Sequence, residues 1–427
     1  MKVDLHYGEG ILSLNIPQGN IAEIIRPWQQ SDAGRHNRLV EDAIGGKMGR
    51  SFAQATAGKR LCVLVGDGSR DMPLADILGG VLDLAAGSCH VQFAICTGTH
   101  DGNTRENEAI CDLIRSKATQ AGLVGYDIVI HDCKQPDLID AGTTSTGTPV
   151  RYNPVISDAE VFCVLSDVKS HYFAGYSNPV KNLVPGLCSY ETAERNHSFA
   201  LDDRSVFGVH PWHEDAGRRD NPLAADQVEA MELIVRQRQV FAMVTISTSG
   251  KIQWADFGLA KDVSARAFSE SDRRNTRKIA RTKRMIVSPG GLPNDVDLYI
   301  SQRALELTKT AVGDGGEVLF VSACPKGVGH ERTRENFYDR LIRPIDEIFA
   351  SIEGEYKLFS HKPYRFAQMI RRLRRIWVHS EMPDEIVEAM HLFPTADPQE
   401  VVDGWLSEEA EVKITVVDGA NKIALYS

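Results

Sequence analysis

Only eight of the 427 residues are cysteine, and no two of them form a C-x-x-C pair. That absence argues against a zinc ribbon or a disulfide frame and fits reduced thiols. Cys62, Cys96 and Cys163 lie in apolar, strand-like runs and read as core. No segment approaches the unbroken apolar run of about 20 residues that a membrane helix needs, so no membrane partner is expected. The opening residues, MKVDLHYGEGILSLNIP, lack an apolar signal core with a small-residue cleavage site and alternate like a strand pair, so a cytoplasmic location is expected. An excess of positive charge is missing too. With 48 basic against 58 acidic residues the net charge is −10, which argues against a nucleic-acid partner. The one basic run, Arg273 to Arg284, reads as a solvated helix between domains.

What is present is the composition of a globular protein, 42% hydrophobic and 25% charged, in a chain too long for one ordinary core. Two α/β domains are expected. The first spans residues 1–265, a helical linker 266–284, the second domain 285–412, and a C-terminal hairpin 413–427 that packs back on the first domain. Arg60 to Val65 is an apolar strand followed by a polar turn and a helix from Leu74. His90 to Cys96, the loop Thr97 to Gly102 and a helix from Glu106 repeat that design. Tyr126 to His131 and Glu160 to Leu165 add two strands to a largely parallel sheet. In such sheets ligands bind beyond the carboxyl ends of the strands, so Asp67, Arg70 and His100 are expected to converge, with His171 following the fourth strand.

The segment Asp167 to Ser198 organises the chain. It holds His171, Lys181 and His197 among glycines and prolines that break long elements, with Lys181 expected on a loop and His197 on a helical turn. Each feature also has a structural reading. The glycine loops can be simple turns, since neither matches G-x-G-x-x-G or the P-loop. Each histidine can be an ordinary half-buried one. Arg70 can be an ion-pair partner of Asp67 or a fork for a substrate carboxylate. His210 and His213, in HPWHED, can contribute to a metal site, although Pro211 weakens the geometry and a third ligand is needed. Ser205 to Asn221 reads as a loop over the site.

Several motifs run in order along nearly the whole chain: Asp67-Gly68-Ser69-Arg70-Asp71-Met72-Pro73, Thr97-Gly98-Thr99-His100, and His171-Tyr172-Phe173-Ala174-Gly175-Tyr176-Ser177. They are followed by Lys181, Pro185-Gly186, His197, Pro289-Gly290-Gly291 and Gly327-Val328-Gly329-His330-Glu331. Together they resemble the nickel-pincer lactate racemase family. The resemblance implies two α/β domains with the site in the cleft between them. It also implies a nickel-bound pyridinium-3,5-bisthiocarboxylic acid mononucleotide made by cofactor-biosynthesis enzymes. By position, Lys181 matches the cofactor-anchoring lysine, His197 the nickel ligand, and His100 and His171 the acid/base pair. Arg70 matches a carboxylate-binding arginine, and Asp67, Ser69, Thr97, Gly98, Pro289, Gly290 and Gly291 fall among the cofactor-binding positions. The implied reaction inverts C2 of a 2-hydroxy acid.

The chain also departs from the family pattern. Asn178-Pro179-Val180 stands where two glycines and an arginine are typical, and Ser69 replaces a threonine. Ile300 and Arg303 occupy substrate-facing positions where a glutamine and a lysine are usual, with Gln302 nearby. These changes, with the donors His210, Trp212, His213, Arg218 and Arg219, lead us to expect a substrate larger than lactate: an aldonate, a dicarboxylic or an aromatic hydroxy acid. The alternatives are a lactate racemase proper, a zinc-dependent hydrolase built on the histidines, and a non-catalytic cofactor or sugar-acid binding protein.

Overall fold

The computed structural model describes residues 1–28, 36–70, 72–248 and 250–427, so Asp71 lies outside the described residues. The chain divides into two compact α/β units. One is residues 29–271, and the other combines residues 1–28 with 272–427.

In the unit 29–271 the sheet has six strands in the spatial order 251–259, 239–248, 161–167, 60–66, 90–96, 126–130. All neighbours are parallel except the hairpin of Gln239–Thr248 with Lys251–Leu259. The apolar runs of the central strands are buried on both faces. Cys62, Leu64, Phe162 and Val164 pack on one side, and Leu61, Val63, Val65, Cys163 and Leu165 on the other. That is why these strands read as continuous apolar runs rather than as alternating ones. The chain enters the sheet at Arg60–Gly66, moves outward through His90–Cys96 and Tyr126–Ile130, and returns on the opposite flank at Val161–Asp167. This reversal creates a switch point, where loops from adjacent strands diverge and leave room for a ligand.

The other unit holds a second six-stranded sheet, all parallel, in the order 393–394, 375–379, 312–321, 282–288, 414–418, 21–25. Two expectations are corrected here. Residues 1–28 do not belong with the first domain, because Ile21–Ile25 pairs with Ile414–Asp418, and the hairpin of Lys2–Tyr7 with Gly10–Asn15 contributes Val3, Leu5 and Leu14 to the core around Trp405 and Val416. The C-terminal residues are not a hairpin. Ile414–Asp418 lies between Thr282–Ser288 and Ile21–Ile25, and Ala424–Tyr426 pairs in parallel with Thr276–Lys278. Parallel partners are joined by long crossovers, so local sequence pattern does not reveal them. The expected linker is likewise only partly helical: the helix Ala260–Asn275 is followed by the strands Thr276–Lys278 and Thr282–Ser288.

Among the described residues no helix is long and apolar enough to cross a membrane. All eight cysteines are thiols outside any disulfide, and Cys89 alone is exposed.

Candidate active site

Three strand ends at the switch point deliver the first group of side chains. Asp67 follows Arg60–Gly66, His100 lies four residues beyond His90–Cys96, and the short strand Lys169–His171 follows Val161–Asp167. Asp67 is 3% exposed, and its Oδ2 is 2.8 Å from His100 Nδ1. Its Oδ1 accepts from the Ser69 backbone N–H at 2.8 Å and from the Ser69 hydroxyl. Burial alone raises a carboxyl pKa, but the His100 hydrogen bond, the Arg70 charge and Ser69 together hold Asp67 down at about 2. A permanently ionised carboxylate on Nδ1 keeps the proton there, so the neutral His100 ring carries its lone pair on Nε2. Asp67 and Ser69, expected among the cofactor-binding positions, therefore spend their polar groups on orienting a histidine. Arg70 Nε is 3.9 Å from Asp67 Oδ1, a long ion pair, and its side chain is 57% exposed.

His171 has the opposite tautomer. Its Nδ1 accepts from the Ala174 backbone N–H at 3.3 Å, which puts the proton of the neutral ring on Nε2. The hairpin Lys169–His171 with Gly175–Ser177 sets this contact, since His171 pairs with Gly175. Gly175 has φ +75, and a Cβ there would meet the Val209 carbonyl oxygen at 2.0 Å, so no larger residue fits.

The Phe173 ring ties the second group together. Its centroid is 4.4 Å from that of His171 and 5.4 Å from that of His197, and Lys181 Nζ is 5.6 Å from it. In the sequence Phe173 is one residue of a motif; its position as a hub follows from tertiary packing. Lys181 is not on a loop. Asn178 caps the helix Pro179–Leu183 by accepting from the Val180 N–H, with Pro179 in the first turn, so residues that read as turn chemistry are a helix start. His197 sits in the last turn of the helix Tyr190–Ser198, which Ser189 caps. Its Nδ1 is 2.9 Å from the Ala193 carbonyl. A carbonyl only accepts, so Nδ1 carries the proton and the lone pair is on Nε2, the arrangement of a metal-ligating imidazole. Burial, and after it the Lys181 charge, push the His197 pKa down to about 3, so the ring is neutral at pH 7. A primary amine and a neutral imidazole on one aromatic ring fit the donor set expected for a lysine-tethered nickel cofactor.

Thr97 and Gly98 are turned inward. The Thr97 hydroxyl donates to the His131 carbonyl at 2.7 Å, and the Gly98 N–H donates to the Gly186 carbonyl at 3.0 Å. Gly98 pins the His100 loop to the chain that follows Lys181, and Thr97 pins it to the residue after the strand Tyr126–Ile130.

The segment 205–221 packs on the hairpin that carries His171: the Asn221 side-chain amide donates to the Phe173 carbonyl at 2.9 Å, and the Gly208 N–H to the Gly175 carbonyl at 3.1 Å. Several of its polar groups bond to its own backbone: His210 Nδ1 accepts from the Trp212 N–H, His213 Nδ1 from the Asp215 N–H, Arg218 Nε donates to the Gly208 carbonyl, and Arg219 Nε to the His213 carbonyl. His210 and His213 are buried, the first against Phe268. No cluster of three or more metal-ligating side chains exists among the described residues.

The remaining expected positions belong to the other unit. Pro289-Gly290-Gly291 makes close backbone approaches. A Cβ on Gly290 (φ +111) would lie 2.9 Å from Gly419 Cα, and one on Gly291 would lie 2.9 Å from the Gly8 carbonyl oxygen. Ile300 is exposed in the first turn of the helix Leu298–Thr308, with Arg303 one turn on. Gln302 is buried and donates to the Lys362 carbonyl, so it does not substitute for an exposed amide at 300. Lys362, unremarked in the sequence, is also buried beside this helix. Its Nζ lies 3.8 Å from the Tyr299 ring centroid, and burial brings its pKa down to about 7.

Residues 7–208 match the model described as lactate racemase N-terminal domain. The lactate racemase of Lactiplantibacillus plantarum is 22% identical over 99% of both chains. The chain is similar to lactate racemases along its length. The lactate racemase of Thermoanaerobacterium thermosaccharolyticum is 24% identical over 77% of this chain and 76% of its own. The apoprotein structure from that organism superposes with a TM-score of 0.85, full coverage of both chains and 21% identity. A Thermotoga maritima protein shares the fold at a TM-score of 0.65 and 13% identity, over 91% of this chain and 97% of its own.

Proposed function

We propose that the chain is a racemase or C2-epimerase of a 2-hydroxy acid, working with a nickel-pincer nucleotide held by Lys181 and His197. The observation that carries this reading is the pair of histidines in opposite tautomers: His100 with its lone pair on Nε2, His171 with its proton on Nε2. A reaction that runs in both directions needs one group ready to accept the hydroxyl proton and another ready to give one back. His100, oriented by Asp67, takes the proton from the substrate hydroxyl, and His171 returns one when the planar keto acid is reduced from its other face. Arg70 offers an exposed fork for the carboxylate. When bound, the nickel group supplies the acceptor and donor of the hydrogen that leaves and rejoins C2 with its electron pair.

A substrate larger than lactate stays within the proposal, supported by the departures at Ile300 and Arg303; in segment 205–221, Arg218 and Arg219 each already donate Nε–H to a backbone carbonyl. Thiols outside any disulfide fit a cytoplasmic location. The zinc hydrolase reading has no three-ligand cluster among the described residues to support it.

The test is the intact mass and nickel content of protein co-expressed with the cofactor-biosynthesis enzymes. A mass increase mapped to Lys181 with about one nickel per chain, absent in Lys181→Ala, is expected. Unmodified protein, under conditions that load a lactate racemase, would remove the basis of the reading. Exchange of the C2 hydrogen across a panel of hydroxy acids then ranks substrates; lactate exchanging fastest would refute the larger-substrate part.

A further inference from the structure

Asp226, 1% exposed in the helix Pro222–Val235, collects four hydrogen bonds from side chains. The hydroxyls of Thr144 and Thr146 donate to its Oδ1 at 2.6 and 2.5 Å. The Thr148 hydroxyl donates to Oδ2 at 3.0 Å, and Asn196 Nδ2 donates to the same oxygen at 2.8 Å. Three threonines of one turn, between the strands Ile139–Thr143 and Pro149–Tyr152, thus converge on a single carboxylate. Its fourth donor comes from the residue that precedes His197.

Asn196 is held from every side by the same helix. Its Nδ2 also donates to the Leu223 carbonyl at 3.1 Å, and its Oδ1 accepts from Gln227 Nε2 at 3.1 Å. The turn grips the His197 helix directly as well, through Arg195 Nη2 donating to the Thr146 carbonyl and the Thr192 hydroxyl donating to the Pro149 carbonyl. Such a network fixes both the rotation of the short helix Tyr190–Ser198 about its axis and its height. His197, one residue beyond Asn196, inherits that setting. Buried hydrogen-bond networks rigidify what they hold, and groups behind a metal ligand commonly change metal affinity by about 10- to 100-fold when removed.

We propose that Asp226 and Asn196 are positioning residues for His197, fixing the imidazole that binds nickel. This rests on the proposed function above. Glu229 provides an internal control: it accepts from the Ser145 N–H and hydroxyl, both at 2.6 Å, and so clamps the same turn to the same helix without touching Asn196.

The experiment uses holoprotein from co-expression with the cofactor-biosynthesis enzymes and reads nickel retained per Lys181 adduct during dialysis against a chelator. Asp226→Asn and Asn196→Ala should keep the adduct and lose nickel at least about tenfold more readily than wild type. Glu229→Gln should retain nickel like wild type. Asn196→Ala leaves Asp226 its three threonine donors, so it decides the matter if Asp226→Asn fails to fold. Equal retention in Asn196→Ala and wild type, or an equal loss in Glu229→Gln, would overturn this inference while the cofactor reading stands. A wild-type chain with no adduct would overturn both.

Discussion

The two six-stranded sheets put their loops to different uses. In the unit 29–271, the loops beyond Gly66, Cys96 and Asp167 present ionised and imidazole groups: Asp67, His100 and His171. In the other unit, the loop after Thr282–Ser288 presents backbone, with Gly290 and Gly291 pressed against Gly419 and Gly8. Buried carboxylates differ in the same way. Asp67 grips one edge of an imidazole whose other edge stays available, whereas Glu306 is enclosed by Arg365 Nε at 3.0 Å and Lys309 Nζ at 2.9 Å. The first arrangement holds a reactive group in one state; the second ties helices together. Glycine-rich motifs and perturbed carboxylates are therefore ambiguous until their partners are known.

The largest test of this contrast removes the two histidines. His100→Ala and His171→Ala should each lower turnover by roughly 10²- to 10⁴-fold, with the Lys181 adduct and nickel retained. Steady-state kinetics and metal analysis of the same preparations check this. Turnover within about threefold of wild type in either variant would remove that residue from the acid/base pair.

The same contrast predicts a different loss at Glu306. Glu306→Gln removes the negative charge that Arg365 and Lys309 share in the interior, which should cost about 3–5 kcal/mol of stability. Thermal or urea unfolding measures the loss, and turnover per folded molecule should be unchanged. Turnover falling with stability intact would mean that Glu306 belongs to the chemistry.

The sequence carried much of this arrangement. Apolar runs such as Arg60–Val65 marked buried parallel strands, and the strand-end rule brought Asp67 and His100 together correctly. The likeness to lactate racemases was readable from the ordered motifs. Long-range partners were not legible. Asp67 as the orienter of His100 requires folding residues 33 apart into contact, and the pairing of Ile21–Ile25 with Ile414–Asp418 spans nearly the whole chain. Asp418 is 2% exposed at the end of a strand whose five residues are all buried. That pattern suits a central parallel strand better than a hairpin arm with one wet face. Asn178-Pro179 shows a smaller ambiguity, since the residues that initiate a turn also initiate a helix, and only the next turn decides between them.

Acid stability gives the smallest and sharpest comparison. Asp67 has a folded pKa of about 2, below the usual carboxyl value, so its folded-state partners contribute stability above about pH 4. That contribution disappears as pH falls through the folded value. The shift corresponds to about 2 kcal/mol. Asp67→Asn cannot titrate, so the stability gap between wild type and variant should shrink by about that amount between about pH 5 and 2. Urea unfolding across that range measures it. Glu306 is also held low in the folded state, so wild-type acid sensitivity alone does not separate the two carboxylates. The difference curve does, because each variant removes only its own titration. Asp67→Asn should in addition lower turnover at neutral pH by roughly 10²-fold or more, since an amide on Nδ1 no longer enforces the His100 tautomer. A gap that stays constant with pH, together with unchanged turnover, would reduce the Asp67–His100 contact to the purely structural role that Glu306 plays in the other unit.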